Sequence, residues 1–312
     1  MPLTRPSRAV SANLIRQKCD DFADFHVWPL RSRLDPRGWL SNFAEDDQPY
    51  AYHLLNAFMY FSEDLTLQLF LSAMQNISVS DEWRRRNPGD PFSAWPRFLR
   101  RVQLTYVTGE TPSPADSGHV FVRKARDHAG IGEEKIADPG IVLAKRAGGD
   151  RSPVIFVDDF VGSGTQFCET WQRIYDNNGH YMSFQAAALE AKEQNLEFEV
   201  YYAPAVCTVR GLEKIRRSCP GVIVTPGNIL DDRYSVFHEE SLVWPQDLCT
   251  EGRQMIERVS EKLGIAADKS EWDYRGFDQL GLALGFAHKT PDATIPLFRW
   301  SKDGWHPLVK EV

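Results

Sequence analysis

The sequence predicts an α/β protein organised around a parallel sheet. Short runs rich in β-branched and aromatic residues recur at 102–107, 120–122, 154–157, 199–206 and 222–225, each the length of a buried strand. Stretches with helical spacing, such as 167–175 and 211–218, lie between them, and alternation of this kind builds parallel sheets. The most apolar of the runs opens directly into a glycine-bracketed turn.

Before the sheet, residues 52–74 place Leu54, Leu55, Phe58, Met59, Leu65, Leu69 and Met74 at the spacing of helices with one buried stripe. Ser62 divides them, because a hydroxyl followed by Glu63 and Asp64 suits a new helix start. The cluster Asn87-Pro88-Gly89-Asp90-Pro91 breaks the helical pattern and marks the first boundary. Two irregular stretches, 109–118 and 124–140, interrupt the sheet pattern, and loops of that length are usually lids or binding loops. A helix is expected over 245–263 from Leu248, Met255, Ile256, Val259 and Leu263, stopping at Gly264. These signals divide the chain into a helical N-terminal extension at 1–98, an α/β core at 99–244 and a C-terminal helix with an aromatic cap at 245–312.

The 312 residues carry 36 Lys+Arg against 43 Asp+Glu, a formal charge of −7, so direct nucleic-acid binding through a broadly basic surface is not expected. A small ligand is. Five scattered cysteines without a C-x-x-C pair suggest neither a disulfide framework nor a thiolate zinc site. With no signal-like start and no run of 18 apolar residues, a cytoplasmic protein without a membrane partner is the expectation. His53 and His288 have no second ligand at a recognisable spacing and read as structural histidines.

The chemistry concentrates in Val154-Ile155-Phe156-Val157-Asp158-Asp159-Phe160-Val161-Gly162-Ser163-Gly164-Thr165-Gln166. A buried strand ends in two carboxylates, and ligands of open α/β sheets bind at the carboxyl ends of strands. Gly162 and Gly164 let backbone N–H groups approach an anion, the following helix points its positive end there, and Ser163 and Thr165 add hydroxyls. Anion donors beside two carboxylates suit a sugar phosphate. A Walker B strand is excluded by the lack of any G-x-x-x-x-G-K-[ST], and neither G-x-G-x-x-G nor a nucleophile elbow is spelled here.

This segment resembles the ribose-phosphate signature of the type I phosphoribosyltransferases. The resemblance implies a Rossmann-like core that binds phosphoribosyl pyrophosphate with Mg²⁺. It also implies that Asp158 and Asp159 face the ribose hydroxyls, with the metal held indirectly through ribose and pyrophosphate oxygens, and that Gly162, Ser163, Gly164, Thr165 and Gln166 cradle the 5-phosphate. Phe121-Val122-Arg123-Lys124-Ala125-Arg126-Asp127-His128 is similar to the catalytic loop of orotate phosphoribosyltransferase, one residue shorter and with Arg126 where that pattern has Lys. On this likeness Arg123, Lys124, Arg126 and His128 would neutralise a pyrophosphate leaving group. The pyrophosphate loop would fall at 108–118, which contains no basic residue.

The core likeness covers residues 100–225. Trp39-Leu40-x-Asn42-Phe43, Gly276-Phe277-Asp278-Gln279 and the stretch from Thr290-Pro291-Asp292 to Trp300 and Trp305 resemble phosphoribosyltransferase-like proteins of bacterial conflict and antiviral loci, retrons among them. That branch implies a defence effector with a protein partner. By analogy with orotate enzymes, it also implies a homodimer. The expected reaction is Mg²⁺-dependent transfer or hydrolysis at the anomeric carbon of an activated ribose 5-phosphate. The alternatives are a non-catalytic sensor of phosphoribosyl pyrophosphate or a nucleotide, and a nucleotidase or glycosidase using the same acids.

Overall fold

The computed structural model describes residues 11–109, 117–177, 179–265, 267–268 and 273–310. The chain forms two compact units, Met1–Leu65 with Asp231–Val312 and Thr66–Leu230. The two ends that look like separate additions in the sequence therefore share one body, and the helices after Leu65 belong with the sheet.

The unit containing the sheet has four strand positions in parallel. We label its strands β1 (Gln103–Tyr106), β2 (Val154–Val161), β3 (Val200–Thr208), β4 (Val222–Val224) and β5 (Asn228–Leu230). β1 pairs β2, β2 pairs β3, and β4 and β5 pair successive halves of β3, so together they form one interrupted outer strand. On the far side of β1, Ile136 forms a parallel bridge with Leu104, and Ala137 N–H donates to Leu104 O at 3.0 Å. Counting that short stretch as an edge, the spatial order is the Ile136 stretch, β1, β2, β3 and then the edge shared by β4 and β5.

Five helices of this unit are labelled α1 (Ser117–His128), α2 (Pro139–Ala147), α3 (Thr165–Gln172), α4 (Phe184–Glu193) and α5 (Val209–Ser218). The strand pleat sorts side chains between two faces with period two. Val154, Phe156, Val200 and Tyr202 pack with Val142 and Leu143 of α2, Phe167 and Trp171 of α3, Phe184 of α4 and Leu212 and Ile215 of α5. Ile155, Val157, Tyr201 and Ala203 pack on the other face with Phe121, Val122 and Ala125 of α1 and with Phe70, Met74, Trp83 and Phe98. The chain thus leaves β1 on one face and β2 on the other. A topological switch point opens between their carboxyl ends.

Several local expectations change. Residues 120–122 lie within α1, because Phe121, Val122 and Ala125 form a helical stripe against the sheet. The stretch 124–140 comprises the end of α1, a 3₁₀ turn at Glu133–Lys135 and the Ile136 bridge. α3 stops at Gln172, and Tyr175–Asn177 pairs antiparallel with His180–Met182. The Asn87–Pro91 breaker separates two helices of one unit, Asp81–Arg86 and Pro91–Leu99, and Asp90 caps the second by accepting the Phe92 and Ser93 N–H groups.

In the other unit, helix Gln48–Ala57 leads into strand Met59–Phe61, and Ser62 Oγ accepts the Leu65 N–H, so the predicted division at Ser62 holds. Met59–Phe61 pairs in parallel with Leu284–Phe286. Trp39 stacks on Phe298 with ring centroids 5.1 Å apart, and the indole N–H groups of Trp39 and Trp305 both donate to Leu297 O, at 2.7 and 3.0 Å. Asn42 exchanges two hydrogen bonds with the His306 backbone, at 2.8 and 2.9 Å. The motifs near the two ends of the sequence thus hold each other. Among the described residues, no helix is long and apolar enough to cross a membrane.

Candidate functional site

The site is built from the end of β2 outward. Pleat parity sends Asp158 to the face of Tyr202 and Asp159 to the opposite one. Asp158 Oδ2 accepts the Tyr202 hydroxyl at 3.0 Å, and Oδ1 accepts the Asp159 N–H at 2.9 Å. Burial, and then the Asp158 carboxylate beside it, push the Tyr202 phenol well above its ordinary value, so it stays protonated and donates. Both aspartates are buried, 2% and 1% exposed. A carboxylate this enclosed needs donors, and the Tyr202 hydroxyl and the Asp159 N–H are among those that serve Asp158. β3 carries Pro204 opposite Asp158; proline has no N–H for the ladder, and the β2–β3 register skips from Asp158 to Phe160.

Beyond the acids the chain turns through Gly162, Ser163 and Gly164 into α3. Gly164 adopts φ +78, the left-handed region, and a Cβ there would lie 2.7 Å from Gly211 O. The turn is pinned from the α5 side. Thr208 Oγ1 donates to Gly162 O at 2.6 Å and also accepts the Gly211 N–H at 2.9 Å, capping α5. Ser163 Oγ and Thr165 Oγ1 are 2.8 Å apart, and the Thr165 N–H reaches Ser163 Oγ at 3.3 Å. Lys214 Nζ donates to Thr165 Oγ1 at 2.6 Å. Gln166 is exposed at the first turn of α3.

The same helix ties down the start of the loop after β1. Thr170 Oγ1 accepts the Thr108 N–H at 3.2 Å, and Arg173 donates to Thr108 Oγ1 at 2.5 Å and to Gly109 O at 2.7 Å. The switch-point crevice is therefore walled by Thr108 and Gly109 on one strand end and by the acid pair and turn on the next. Most of the expected pyrophosphate loop, residues 110–116, lies outside the described residues. Cys168, one turn into α3, accepts a hydrogen bond from Cys219 Sγ at 3.7 Å. That bond lowers the Cys168 pKa most, burial opposes it, and the Lys214 charge lowers it further.

Asp158, Asp159, Gly162, Ser163, Gly164, Thr165 and Gln166 are thus gathered at one strand end. Arg123, Lys124, Arg126 and His128 are placed differently. α1 starts beside the end of β1, with the His119 and Tyr106 rings 4.2 Å apart, and must run back before Ile136 can lie parallel to β1. From His119 to Arg126 the helix advances about 10 Å away from the strand ends. There Arg126 pairs with Asp127 at 2.8 Å and Glu133 at 3.8 Å. Arg123, Arg126 and His128 are exposed and Lys124 is half-buried.

Tyr202, Thr208, Gly211, Lys214, Thr170 and Arg173 surround the candidate site and were missed by sequence reasoning. Tyr202 shares a face parity with Asp158, a signal that becomes usable only with the β2–β3 register known. Lys214 carries no motif signal at all.

The protein is thus of the Rossmann-like α/β class, with an acid pair and a glycine turn at the switch point, where ligands of such sheets bind. The PRTase-CE family model matches residues 36–311, and the chain belongs to that family. The match runs through both units. No curated protein matches the chain.

Proposed function

We propose that this protein binds phosphoribosyl pyrophosphate and acts at the anomeric carbon of its ribose, transferring the ribose phosphate to an acceptor or to water with loss of pyrophosphate. The observation that carries this reading is the turn from Gly162 to Thr165, fixed against α5 directly beyond two buried carboxylates at the switch point. Backbone N–H groups and the Ser163 and Thr165 hydroxyls suit a 5-phosphate, and Asp158 and Asp159 supply acceptors for ribose hydroxyls. The same carboxylates offset positive charge that develops on the ring as pyrophosphate departs.

The donor set also fits Mg²⁺ in one particular way. Among the described residues no three His, Cys, Asp or Glu side chains are placed so that they could hold a metal ion by themselves. Two carboxylates with a phosphate-rich substrate match how Mg²⁺ is usually held, through one or two carboxylates plus substrate oxygens. When bound, the ion would neutralise charge on the leaving pyrophosphate. Asp158, already oriented by Tyr202, and Asp159 are the residues that would face it.

A second reading is binding without turnover, a phosphoribosyl pyrophosphate or nucleotide sensor within a larger assembly. The course of α1 favours it, since the basic segment Arg123–His128 leads away from the strand ends and Arg126 is engaged by two acids. In either case we place the protein in bacterial antiviral defence with a protein partner, supported by the likeness of Trp39–Phe43 and the 276–305 motifs to conflict-system proteins. Titration with phosphoribosyl pyrophosphate and Mg²⁺, followed by assay of pyrophosphate release, separates the readings. Binding with release supports the enzyme, binding without release supports the sensor, and no binding rejects both.

A further inference from the structure

A phosphate turn made only of backbone N–H groups and hydroxyls is electrically neutral. This one is not. Lys214 reaches across from α5 to within 2.6 Å of Thr165 Oγ1, and Thr165 in turn lies 2.8 Å from Ser163 Oγ. Ser163 is buried, 6% exposed, and Lys214 is half-buried, so the ammonium is partly shielded from water where it meets the turn. One of its three N–H donors is committed to Thr165, which leaves two for another acceptor. With Thr165 Oγ1 held as an acceptor, its hydroxyl hydrogen is available to Ser163 and that of Ser163 to a ligand. The wall behind the turn is solid, since a methyl group at Gly211 would meet Gly162 O at 2.3 Å.

We infer that Lys214 is the cation of this phosphate site and that it makes the site selective for a terminal phosphate monoester, a dianion at neutral pH, over a phosphodiester. The inference rests on the ribose-phosphate reading of the turn and deepens it. A monoester presents three non-bridging oxygens and nearly two charges, enough to take the turn N–H groups, the Ser163 hydroxyl and the lysine together. A diester carries one charge and two such oxygens, so it loses part of the lysine's contribution. The ligand class is thus a free-ended sugar 5-phosphate, and an internal linkage of a nucleic-acid strand is disfavoured.

Isothermal titration with ribose 5-phosphate and with its 5-(methyl phosphate) diester tests this on the full chain. The wild type should bind the monoester more tightly, Lys214→Met should weaken monoester binding roughly ten- to a hundredfold with a much smaller change for the diester, and Lys214→Arg should retain most of the preference. Monoester binding by Lys214→Met within about twofold of wild type, or equal weakening of both ligands, would overturn the role of Lys214 while leaving the cradle reading intact. Failure of the wild type to bind either ligand would overturn both. If Lys214→Met does not fold, the wild-type pH profile decides. Monoester affinity should fall as pH drops through the second phosphate ionisation at about 6 while diester affinity stays level, and a level monoester profile refutes the inference.

Discussion

Gly211 lies so close to Gly162 that a Cβ added to it would sit 2.3 Å from the Gly162 carbonyl oxygen and 2.8 Å from Val161 Cγ1. The contact locks the Gly162–Gly164 turn to α5 through backbone, which has no flexible end to move aside. Gly211→Ala should therefore shift the turn, lowering stability by about 1–3 kcal/mol and weakening ribose 5-phosphate binding more than tenfold. Urea unfolding and titration calorimetry measure the two effects; wild-type affinity in this variant would show that the turn does not bind phosphate.

Asp158 and Tyr202 form a buried donor–acceptor pair, and their variants should separate structure from chemistry. Asp158→Ala strands the Tyr202 hydroxyl and should cost about 1–3 kcal/mol of stability. Asp158→Asn keeps an oxygen for that hydroxyl, so combined with Asp159→Asn it should fold but release no pyrophosphate. Undiminished release by the double variant would remove both acids from the reaction.

Arg126 sits on the last turns of α1 in ion pairs with Asp127 and Glu133. Arg126→Ala should leave ribose 5-phosphate affinity within about twofold of wild type and alter stability by less than about 0.5 kcal/mol, as exposed pairs contribute little. Pyrophosphate release by the same variant then reports whether α1 takes part in departure of the leaving group. A large loss of ribose 5-phosphate affinity would mean that this helix reaches the cradle.

His53 is buried, 5% exposed, and burial lowers its pKa below the ordinary value of 6.5, with the Asp247 charge opposing. The unfolded chain therefore binds a proton near pH 6.5 that the folded protein does not, so stability is complete above that value and falls as pH drops below it. Thermal melting from pH 8 to pH 5 should show this decline, and His53→Gln should flatten it. An identical pH slope in the variant would mean that other groups set the acid limit.

Trp39 is fully buried, stacks on Phe298 and donates to Leu297 O. Trp39→Ala should destabilise the unit containing it by about 3–5 kcal/mol, read from chemical denaturation. Trp39→Phe should cost less, because Leu297 O keeps the Trp305 N–H and most of the ring packing survives.

Much of the core could be read from local pattern. The run Val154–Val157, the acids after it and the glycines at 162 and 164 each act over a few residues, and the strand, turn and helix they predict are present. The triplet 120–122 misled because three apolar residues fit strand and helix alike; the stripe completed by Ala125 is what packs on the sheet. The motif at Gly276–Gln279 carried a family likeness but no local conformation, and its Asp278 and Gln279 take left-handed φ of 53 and 57, consecutive left-handed residues that the sequence pattern did not indicate.

By itself, then, the chain's order of residues determined the sheet class, the position of the acid pair and the glycine turn that opens the following helix, because these depend on neighbours in sequence. Folding decided what surrounds them. Tyr202 meets Asp158 across 44 positions and Lys214 meets Thr165 across 49, pairings set by strand register and by the close approach of two helices. The course of α1 was decided the same way, since only the return needed for a parallel partner to β1 carries Arg126 and His128 from the strand ends.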